Sequence, residues 1–362
     1  MNEQEPQTAA PTVSSAVSPA VSPGARAKAL LRGWLEHLGY RVERISQEEI
    51  QSKRGGYDIT VPLPDSALAE LRVDSPRFLE LRRRYRNFDS PVCRHTLWQG
   101  ELEDGALELP YFRGDNAYVW QYRNVREQAR MKYYLYAQYV RSLDRRGLLE
   151  QLGEDGQFGC FTFRYEGFPT LSRDLLDSVN ELCFLDRHWN LFDRGKVRVL
   201  DIGAGYGRMA HRMLAATSEV ERYWCIDAVP RSTFLCEYYL GHRNCLGRAT
   251  VVPLDDMEQA IPRGAVDLAV NIHSFSEMSY EAIGAWLDWL VRLDVRWLLV
   301  LPNEPDKIYS YEADGTRRDS SALFAAAGFS LQVHEYTVLD HNTRELIGVA
   351  DQFFLFSRGG GG

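Results

Sequence analysis

The chain has 362 residues, 45% of them hydrophobic and 25% charged, which is the composition of a soluble protein larger than one compact core usually needs. Its 50 acidic and 42 basic residues give a formal net charge of −8, and this acidic balance argues against a nucleic-acid partner, because binding a phosphate backbone requires concentrated Lys and Arg. No apolar run is long enough to span a bilayer, and six cysteines without a C-x-x-C pair favour reduced thiols, so we expect a cytoplasmic protein with no membrane partner.

The first half of the chain is predicted to be a tail followed by a mostly helical region. Residues 1–23 carry almost no large apolar side chain and are expected to be disordered. Apolar residues then recur at helical spacing after Ala25, again over Ser75–Phe88, and later in a long aromatic-rich helix. Ser172 is a predicted cap for a further helix. We therefore assign residues 24–190 to a mostly helical substrate-binding or lid region.

From Lys196 onward, short apolar runs alternate with helical ones, which is typical of a parallel sheet with crossover helices. The predicted strands are "VRVLDIG", "RYWCIDA", "ATVVPL", "AVDLAVN" and "VRWLLVLP". Two strand-like runs, "FSLQVHEYTVL" and "VADQFFLFS", follow without a helix between them and predict an antiparallel hairpin at the sheet edge. The expected fold class is α/β, with a doubly wound, Rossmann-like sheet over residues 191–358, and residues 359–362 form a glycine tail.

The strongest motif is "VLDIGAGYGRM", in which Gly203, Gly205 and Gly207 form a turn after a buried strand. Glycines let the backbone approach a ligand without a Cβ in the way, and doubly wound sheets bind ligands at the carboxyl ends of their strands. A dinucleotide fingerprint places its third glycine one position later, where Arg208 stands here. Asp201 precedes the turn by two positions, and its carboxylate suits a cationic, amino-acid-bearing ligand better than a pyrophosphate.

The pattern D-x-G-x-G-x-G resembles motif I of the class I methyltransferases that use S-adenosylmethionine (SAM), and the resemblance implies SAM as the cofactor. It implies that Asp227, at the end of the next strand and followed by Ala228, accepts hydrogen bonds from the ribose hydroxyls. It also implies that Asp255 or Asp256 meets the adenine amino group while Met257 packs on the ring. A solvated loop is the alternative for these two acids.

A polar cluster, "NIHSFSEM", follows the fourth of the predicted strands, where the resemblance places the methyl group of SAM. His273 is the candidate general base, because a neutral imidazole can take the proton of an attacking hydroxyl. Glu277 is expected to orient the other ring nitrogen and to stabilise the imidazolium. Asn271 is expected to hold either the methionine end of SAM or the loop itself.

Plainer roles stay open for this cluster. Ser276 or Ser279 can cap the helix that follows, and Glu277 can favour its positive end. His273 can be a packing or SAM-contacting residue. A divalent metal held by His273, Glu277 and the two aspartates after the third strand is a further alternative, but the spacing of these residues is not diagnostic and we expect no metal.

Three segments together, "YFRGDNAYVWQ", "EDGQFGCFTFRYEG" and "NIHSFSEM", resemble the sugar O-methyltransferase family of polysaccharide and glycosylated natural-product pathways. The resemblance covers the chain from about Tyr111 to the final strand and implies a sugar-bearing small-molecule acceptor. Aromatic rings and polar side chains complement the apolar faces and the hydroxyls of a sugar. The expected substrate contacts are Tyr111, Arg113, Asn116, Trp120 and Asn303.

We therefore expect a SAM-dependent O-methyltransferase that uses a His general base on a hydroxyl of a sugar or glycosylated small molecule. Two alternatives stay open: a methyltransferase with a non-sugar acceptor such as a peptide or polyketide, and a SAM-binding assembly protein without catalysis. The identity of the acceptor and self-association into a homo-oligomer are open as well.

Overall fold

Five helices precede the large sheet in the computed structural model, which describes residues 57–93, 98, 108–121 and 127–359. They are α1 (Asp65–Glu70), α2 (Pro76–Arg86), α3 (Glu127–Leu143), α4 (Leu148–Leu152) and α5 (Arg173–Trp189). Short 3-10 helices span Pro91–Cys93 and Leu109–Gly114, and a two-stranded antiparallel pair, β1 (Thr162–Phe163) and β2 (Leu171–Ser172), leads into α5. The predicted tail, the helix expected after Ala25 and the last three glycines lie outside the described residues.

The sequence predicts the start of α5 correctly. Ser172 is the N-cap, and its hydroxyl oxygen accepts a hydrogen bond from the Leu175 amide at 3.0 Å. The apolar face of the helix is fully buried at Leu176 and Val179. The helix ends at Asn190 in the left-handed conformation, which asparagine tolerates better than most residues.

A seven-stranded sheet forms the second half of the chain. Its strands are β3 (Val197–Ile202), β4 (Val220–Ile226), β5 (Ala249–Val252), β6 (Leu268–Ile272), β7 (Trp297–Leu301), β8 (Phe329–Tyr336) and β9 (Gln352–Arg358). They lie in the order β5-β4-β3-β6-β7-β9-β8. The first five are parallel, and β9 pairs antiparallel with both β7 and β8. This arrangement confirms the predicted doubly wound sheet with an antiparallel hairpin at its edge.

Helices alternate with the parallel strands, as the sequence predicts. They are α6 (Arg208–Ala216), α7 (Pro230–His242), α8 (Met257–Ala260), α9 (Tyr280–Arg292) and α10 (Ser321–Ala326). Strands β3, β6 and β7 are buried at almost every residue, because helices cover a doubly wound sheet on both faces. The chain leaves β3 towards β4 on one side and later returns to β6 on the other, so the sheet has a switch point at the carboxyl end of β3.

The expectation that no helix separates the last two strand-like runs is wrong. Helix α11 (His341–Ile347) lies between β8 and β9. Its cap is Asp340, whose side chain accepts a hydrogen bond from the Thr343 amide at 2.7 Å, and Gly348 ends it in the left-handed conformation. The cap and the terminal glycine are the two local signals that predict this short helix between the strand-like runs.

The helices that the structure describes before the sheet pack closely against it and belong to the same compact unit as the sheet. Phe78 of α2 stacks on Phe234 of α7 with ring centroids 5.4 Å apart. Arg208 of α6 forms an ion pair with Glu181 of α5 at 2.8 Å. The boundary that the sequence suggests at residue 190 therefore stays a prediction.

In the described part of the chain, every helix is too short or too polar to cross a bilayer.

Candidate ligand-binding and active site

The glycine turn lies at the switch point, directly after β3. Gly203, Gly205 and Gly207 all have positive φ values, of 74°, 57° and 87°. Residues with a Cβ rarely adopt this conformation, so the turn depends on glycine. A Cβ at Gly203 would overlap the side chain of Ser274, which belongs to the "NIHSFSEM" loop. The two motifs that the sequence singles out therefore lie against each other.

Asp227 fixes the turn from the end of β4. One carboxylate oxygen accepts a hydrogen bond from the Gly205 amide at 2.9 Å, and the other accepts one from the Val229 amide at 2.8 Å. Burial raises the pKa of Asp227 to about 7, and the two amide hydrogen bonds counteract only part of that shift. Each oxygen still has a lone pair that can accept a further hydrogen bond.

Asp201, the last acid of β3, is 3% exposed. The Tyr223 hydroxyl donates a hydrogen bond to its carboxylate at 3.0 Å. Burial raises the pKa of Asp201 to about 7. No ion pair with another described residue neutralises Asp201 or Asp227.

These groups line one cavity of about 380 Å³ at the carboxyl edge of the sheet. Ten residues of the predicted site line it: Asp201, Gly203, Gly205, Asp227, Ala228, His273, Glu277, Asn116, Trp120 and Asn303. Seven do not: Gly207, Asp255, Asp256, Met257, Asn271, Tyr111 and Arg113. The cavity thus joins the glycine turn, the end of β4 and the loop after β6.

His273 adopts a left-handed conformation with φ 66°, which is rare for a residue other than glycine. Its amide donates a hydrogen bond to the Leu301 carbonyl at 2.6 Å. Its ring Nδ1 is buried and has no hydrogen-bond partner among the residues that the structure describes. Burial lowers the pKa of His273 below its ordinary value and so favours the neutral ring, which is the form that can accept a proton.

Glu277 lies in the 3-10 helix Ser274–Glu277 that follows His273. The Trp98 indole donates a hydrogen bond to its carboxylate at 2.7 Å. Burial raises the pKa of Glu277 to about 7. No hydrogen bond joins Glu277 to His273 in the described part of the chain, so the expected orientation of the imidazole by Glu277 stays a prediction. The cap of α9 is Ser279, as one of the plainer alternatives has it.

Asn271 holds the loop together from inside the protein. Its amide nitrogen donates to the Ile202 carbonyl at 2.9 Å, and its oxygen accepts from the Phe275 amide at 2.9 Å. Of the two roles expected for Asn271, the structure thus shows the one that fixes the loop. Asn271 links the end of β3 to the loop after β6, which explains the close approach of the glycine turn to Ser274.

The two aspartates after β5 lie away from the cavity. Arg84 of α2 donates to Asp255 at 2.8 Å and to Asp256 at 2.7 Å. Their carboxylates hold the helical region against the sheet in this structure, and Met257 is buried in the core. Their proposed contacts with adenine therefore stay predictions that the observed ion pairs do not favour.

Two of the five expected substrate contacts, Arg113 and Tyr111, pack against other residues of the protein and do not line the cavity, so their contact with a substrate stays a prediction. Arg113 is 1% exposed and forms ion pairs with Glu154 at 2.7 Å and Asp174 at 3.1 Å. The Tyr111 ring stacks on Tyr57 with centroids 4.1 Å apart. Sequence pattern alone does not reveal these partners, because they come from distant parts of the chain.

The cavity also has lining residues that the sequence analysis did not select. They include Trp98, Tyr118, Arg173, Asp177, Arg208, Ser232 and Asp351. Tyr118 belongs to the "YFRGDNAYVWQ" segment, whose aromatic and polar residues are a sequence signal for this part of the cavity. The i,i+4 spacing of Arg173 and Asp177 directly after a helix cap was the other available signal.

The four residues considered as metal ligands do not form one cluster, although His273 and Glu277 line the same cavity. Among the described residues, no group of three His, Cys, Asp or Glu side chains is placed to hold a metal ion. Asp255 and Asp256 pair with Arg84 instead of approaching His273 and Glu277.

No protein-family model and no curated protein matches the sequence. Similar solved structures include the (4+2)-cyclase SpnF, with 16% identity, a TM-score of 0.38 and coverage of 65% of this chain and 96% of that chain. A SAM-dependent methyltransferase from Aquifex aeolicus has 14% identity and a TM-score of 0.36, covering 61% of this chain and 96% of that chain. The mitomycin 7-O-methyltransferase MmcR has 17% identity and a TM-score of 0.36, covering 65% and 69%. Sequence identities and TM-scores this low do not indicate a shared chemistry. The fold is therefore assigned from the strand order of the sheet.

Proposed function

We propose that this protein is a SAM-dependent O-methyltransferase. The observation that carries the proposal is the set of acids around the cavity. Asp201, Asp227 and Glu277 all line it, and none has an ion-pair partner among the described residues. Carboxylates shielded from water need a compensating positive charge or hydrogen-bond donors. SAM supplies both, through its sulfonium and ammonium groups and its ribose hydroxyls.

The positions of these residues fit the parts of SAM. The positive-φ glycine turn leaves room for a ligand close to the backbone. Asp227 has free lone pairs for the ribose hydroxyls, and Asp201 lies at the turn, where a carboxylate complements the amino-acid end. A pyrophosphate would meet these same acids with like charge, so the site disfavours a dinucleotide.

When bound, SAM supplies an activated methyl group for transfer to a nucleophile. The residues of this chain hold the acceptor and remove its proton. His273 is the proposed base, because it lines the cavity and carries a shielded ring nitrogen without a described partner. Its neutral form is favoured by burial. A hydroxyl acceptor needs such a base, since an alcohol must lose its proton as it attacks.

The acceptor that we propose is a sugar or a glycosylated small molecule. Trp120 lines the cavity and is 53% exposed, so its ring is accessible to the apolar face of a sugar. Asn116 and Asn303 line the same cavity and can contact hydroxyls.

Titration calorimetry with SAM tests the proposal. We expect SAM to bind the wild-type protein, and Asp227→Ala to weaken binding about ten- to a hundredfold, since hydrogen bonds to a charged group contribute about 1.5–3 kcal/mol. Asp227→Asn keeps the shape of the side chain but removes its charge. Comparison with Asp227→Ala therefore separates loss of the charge from disturbance of the glycine turn. Asp288→Ala is the matched control, because Asp288 is exposed on α9 and should leave SAM affinity unchanged. A wild-type protein that does not bind SAM would refute the proposed function.

A further inference from the structure

The cavity has a second polar group, formed by Arg173, Asp177 and Asp351, which the roles proposed above do not use. We call it the Arg173 cluster. All three residues line the cavity. They act on the proposed base: after the larger effect of burial, the charges of Asp351 and Asp177 raise the pKa of His273, and those of Arg208 and Arg173 lower it. The Arg173 cluster and the proposed base thus line the same cavity and interact electrostatically.

Arg173 has hydrogen-bond donors without acceptors. The residue is 7% exposed, and its Nε donates to both carboxylate oxygens of Asp177 at 2.7 Å. Its two terminal nitrogens donate to no described residue, and the nearest carboxylate oxygen, on Asp351, is 3.7 Å away. A largely buried guanidinium whose terminal donors open only onto a cavity gains free energy when an acceptor binds there. These donors are placed to bind an acceptor atom inside the cavity.

Asp351 has the complementary capacity. The Asp351 carboxylate forms an ion pair with Arg173 at 3.7 Å. It accepts no hydrogen bond from any residue that the structure describes. A donor group and an acceptor group therefore stand side by side. A hydroxyl both donates and accepts a hydrogen bond, so two adjacent hydroxyls match this pair.

The position of Arg173 in its helix also argues for a role in binding. It is the first residue of α5, where the helix dipole disfavours a positive charge. Asp177, one turn further on, compensates for that charge and is itself held by the Tyr136 hydroxyl at 2.8 Å. Asp177 thus stabilises an arginine at the first position of α5, where helix formation alone does not favour a positive charge.

Building on the proposed methyltransferase function, we propose that Arg173 and Asp351 bind two adjacent hydroxyls of an uncharged acceptor beside His273. The terminal nitrogens of Arg173 donate to one hydroxyl, and the other hydroxyl donates to Asp351. Asp177 is a positioning residue that orients the guanidinium. Arg208, which also lines the cavity, is already neutralised by its ion pair with Glu181. The two carboxylates and one guanidinium of the Arg173 cluster therefore carry a net negative charge and disfavour an anionic acceptor.

The test uses the full-length protein, labelled SAM and two probes of similar shape, para-nitrophenyl glucoside and para-nitrophenyl glucuronide. We expect the wild type to methylate the uncharged glucoside with a kcat/KM at least about tenfold higher than that of the anionic glucuronide. Asp351→Asn should raise the KM for the glucoside about tenfold, as expected for loss of a hydrogen bond to a charged group, and should reduce the discrimination against the glucuronide. The Kd for SAM should stay within about twofold. Glu345→Gln, which removes an exposed carboxylate from α11, is the control with the same change of charge and should change neither value.

The outcomes separate this inference from the proposed function. If calorimetry shows no SAM binding by the wild type, the proposed function itself fails. If SAM binds but neither glycoside is methylated, or the glucuronide is preferred, the assignment of the Arg173 cluster is overturned while SAM binding stands. An unchanged glucoside KM in Asp351→Asn, or an equal rise in Glu345→Gln, also overturns it.

Discussion

His273 combines an unusual backbone conformation with a shielded ring nitrogen that lacks a described partner. If it is the base, its removal should lower kcat by about 10²- to 10⁴-fold without abolishing turnover, because holding the reactants together contributes independently of proton removal. We choose His273→Asn, since asparagine tolerates the left-handed conformation and the loop should keep its shape. SAM affinity should stay within a few fold, and kcat is measured with an accepted glycoside.

The exposed His341→Ala serves as the control for this experiment and should leave kcat unchanged. An unchanged kcat in His273→Asn, under conditions where methyl transfer is rate-limiting, would show that the "NIHSFSEM" loop serves only as structure. Inactivation by a chelator, with recovery when magnesium is added, would instead show that the reaction depends on a divalent metal.

The acids of the cavity predict a pH dependence of SAM binding. Burial raises the pKa of Asp201, Asp227 and Glu277 to about 7 in the ligand-free protein. A cationic ligand favours their ionised forms, so binding should release protons. Affinity should fall as pH drops below 7, by up to about tenfold per pH unit for each acid that must ionise, and should level off above it. Calorimetry in buffers of different ionisation enthalpy counts the protons released.

The same pKa shifts have the opposite consequence for stability without ligand. A carboxyl whose pKa is raised by folding contributes stability at low pH, and that contribution is lost as pH rises through about 7. SAM should therefore raise the Tm more at pH 8 than at pH 6. Equal stabilisation at both values would contradict the coupling between these acids and the ligand.

At the scale of elements, the glycine turn and the loop after β6 form one unit. Asn271 bonds to Ile202 and to Phe275, and Ser274 lies against Gly203. The loop can reach the turn only because β6 is the neighbour of β3 in the sheet. The proposed cofactor site and the proposed base are thus positioned by the same strand pair.

A glycine pair tests this coupling. Gly203 and Gly264 have φ values of 74° and 75°, but a Cβ at Gly264 meets nothing within 4 Å. Gly264→Ala should cost about 1–2 kcal/mol of stability, the cost of the conformation alone. Gly203→Ala should cost more, because the added Cβ must displace Ser274, and it should also weaken SAM binding. The two variants are compared by denaturant unfolding and by calorimetry; equal losses of stability with intact SAM binding would argue against the coupling.

At the scale of the whole molecule, buried ion pairs join the helical region to the sheet. Glu154 and Asp174 contact Arg113 from the helical part and Arg212 from α6. The Tyr206 hydroxyl of the glycine turn also donates to Asp174. This network connects the interior of the helical region to the turn that lines the cavity.

Breaking that network should be costly. Arg113→Ala leaves buried carboxylates with fewer partners and should lower the free energy of unfolding by about 3–5 kcal/mol. Arg263→Ala removes an exposed arginine from a loop and should change stability by less than about 0.5 kcal/mol. Chemical denaturation of both variants measures the difference. A fully stable Arg113→Ala that loses only acceptor binding would restore the substrate role that the sequence analysis gave to Arg113.

Local sequence patterns are sufficient to predict the sheet, the glycine turn, the cap at Ser172 and the position of the "NIHSFSEM" loop at a strand end. These features depend on neighbouring residues: the periodicity of apolar side chains, the conformational freedom of glycine and the hydrogen bonds of a cap. Which polar residues share the cavity depends instead on long-range packing. Arg113 is buried against Asp174, Tyr111 stacks on Tyr57, and Arg84 pairs with the aspartates after β5. Asp351 contacts Arg173 although the two residues are far apart in the sequence. Such pairings join residues far apart in the sequence, and the pattern around each residue carries no information about a partner that only folding brings near.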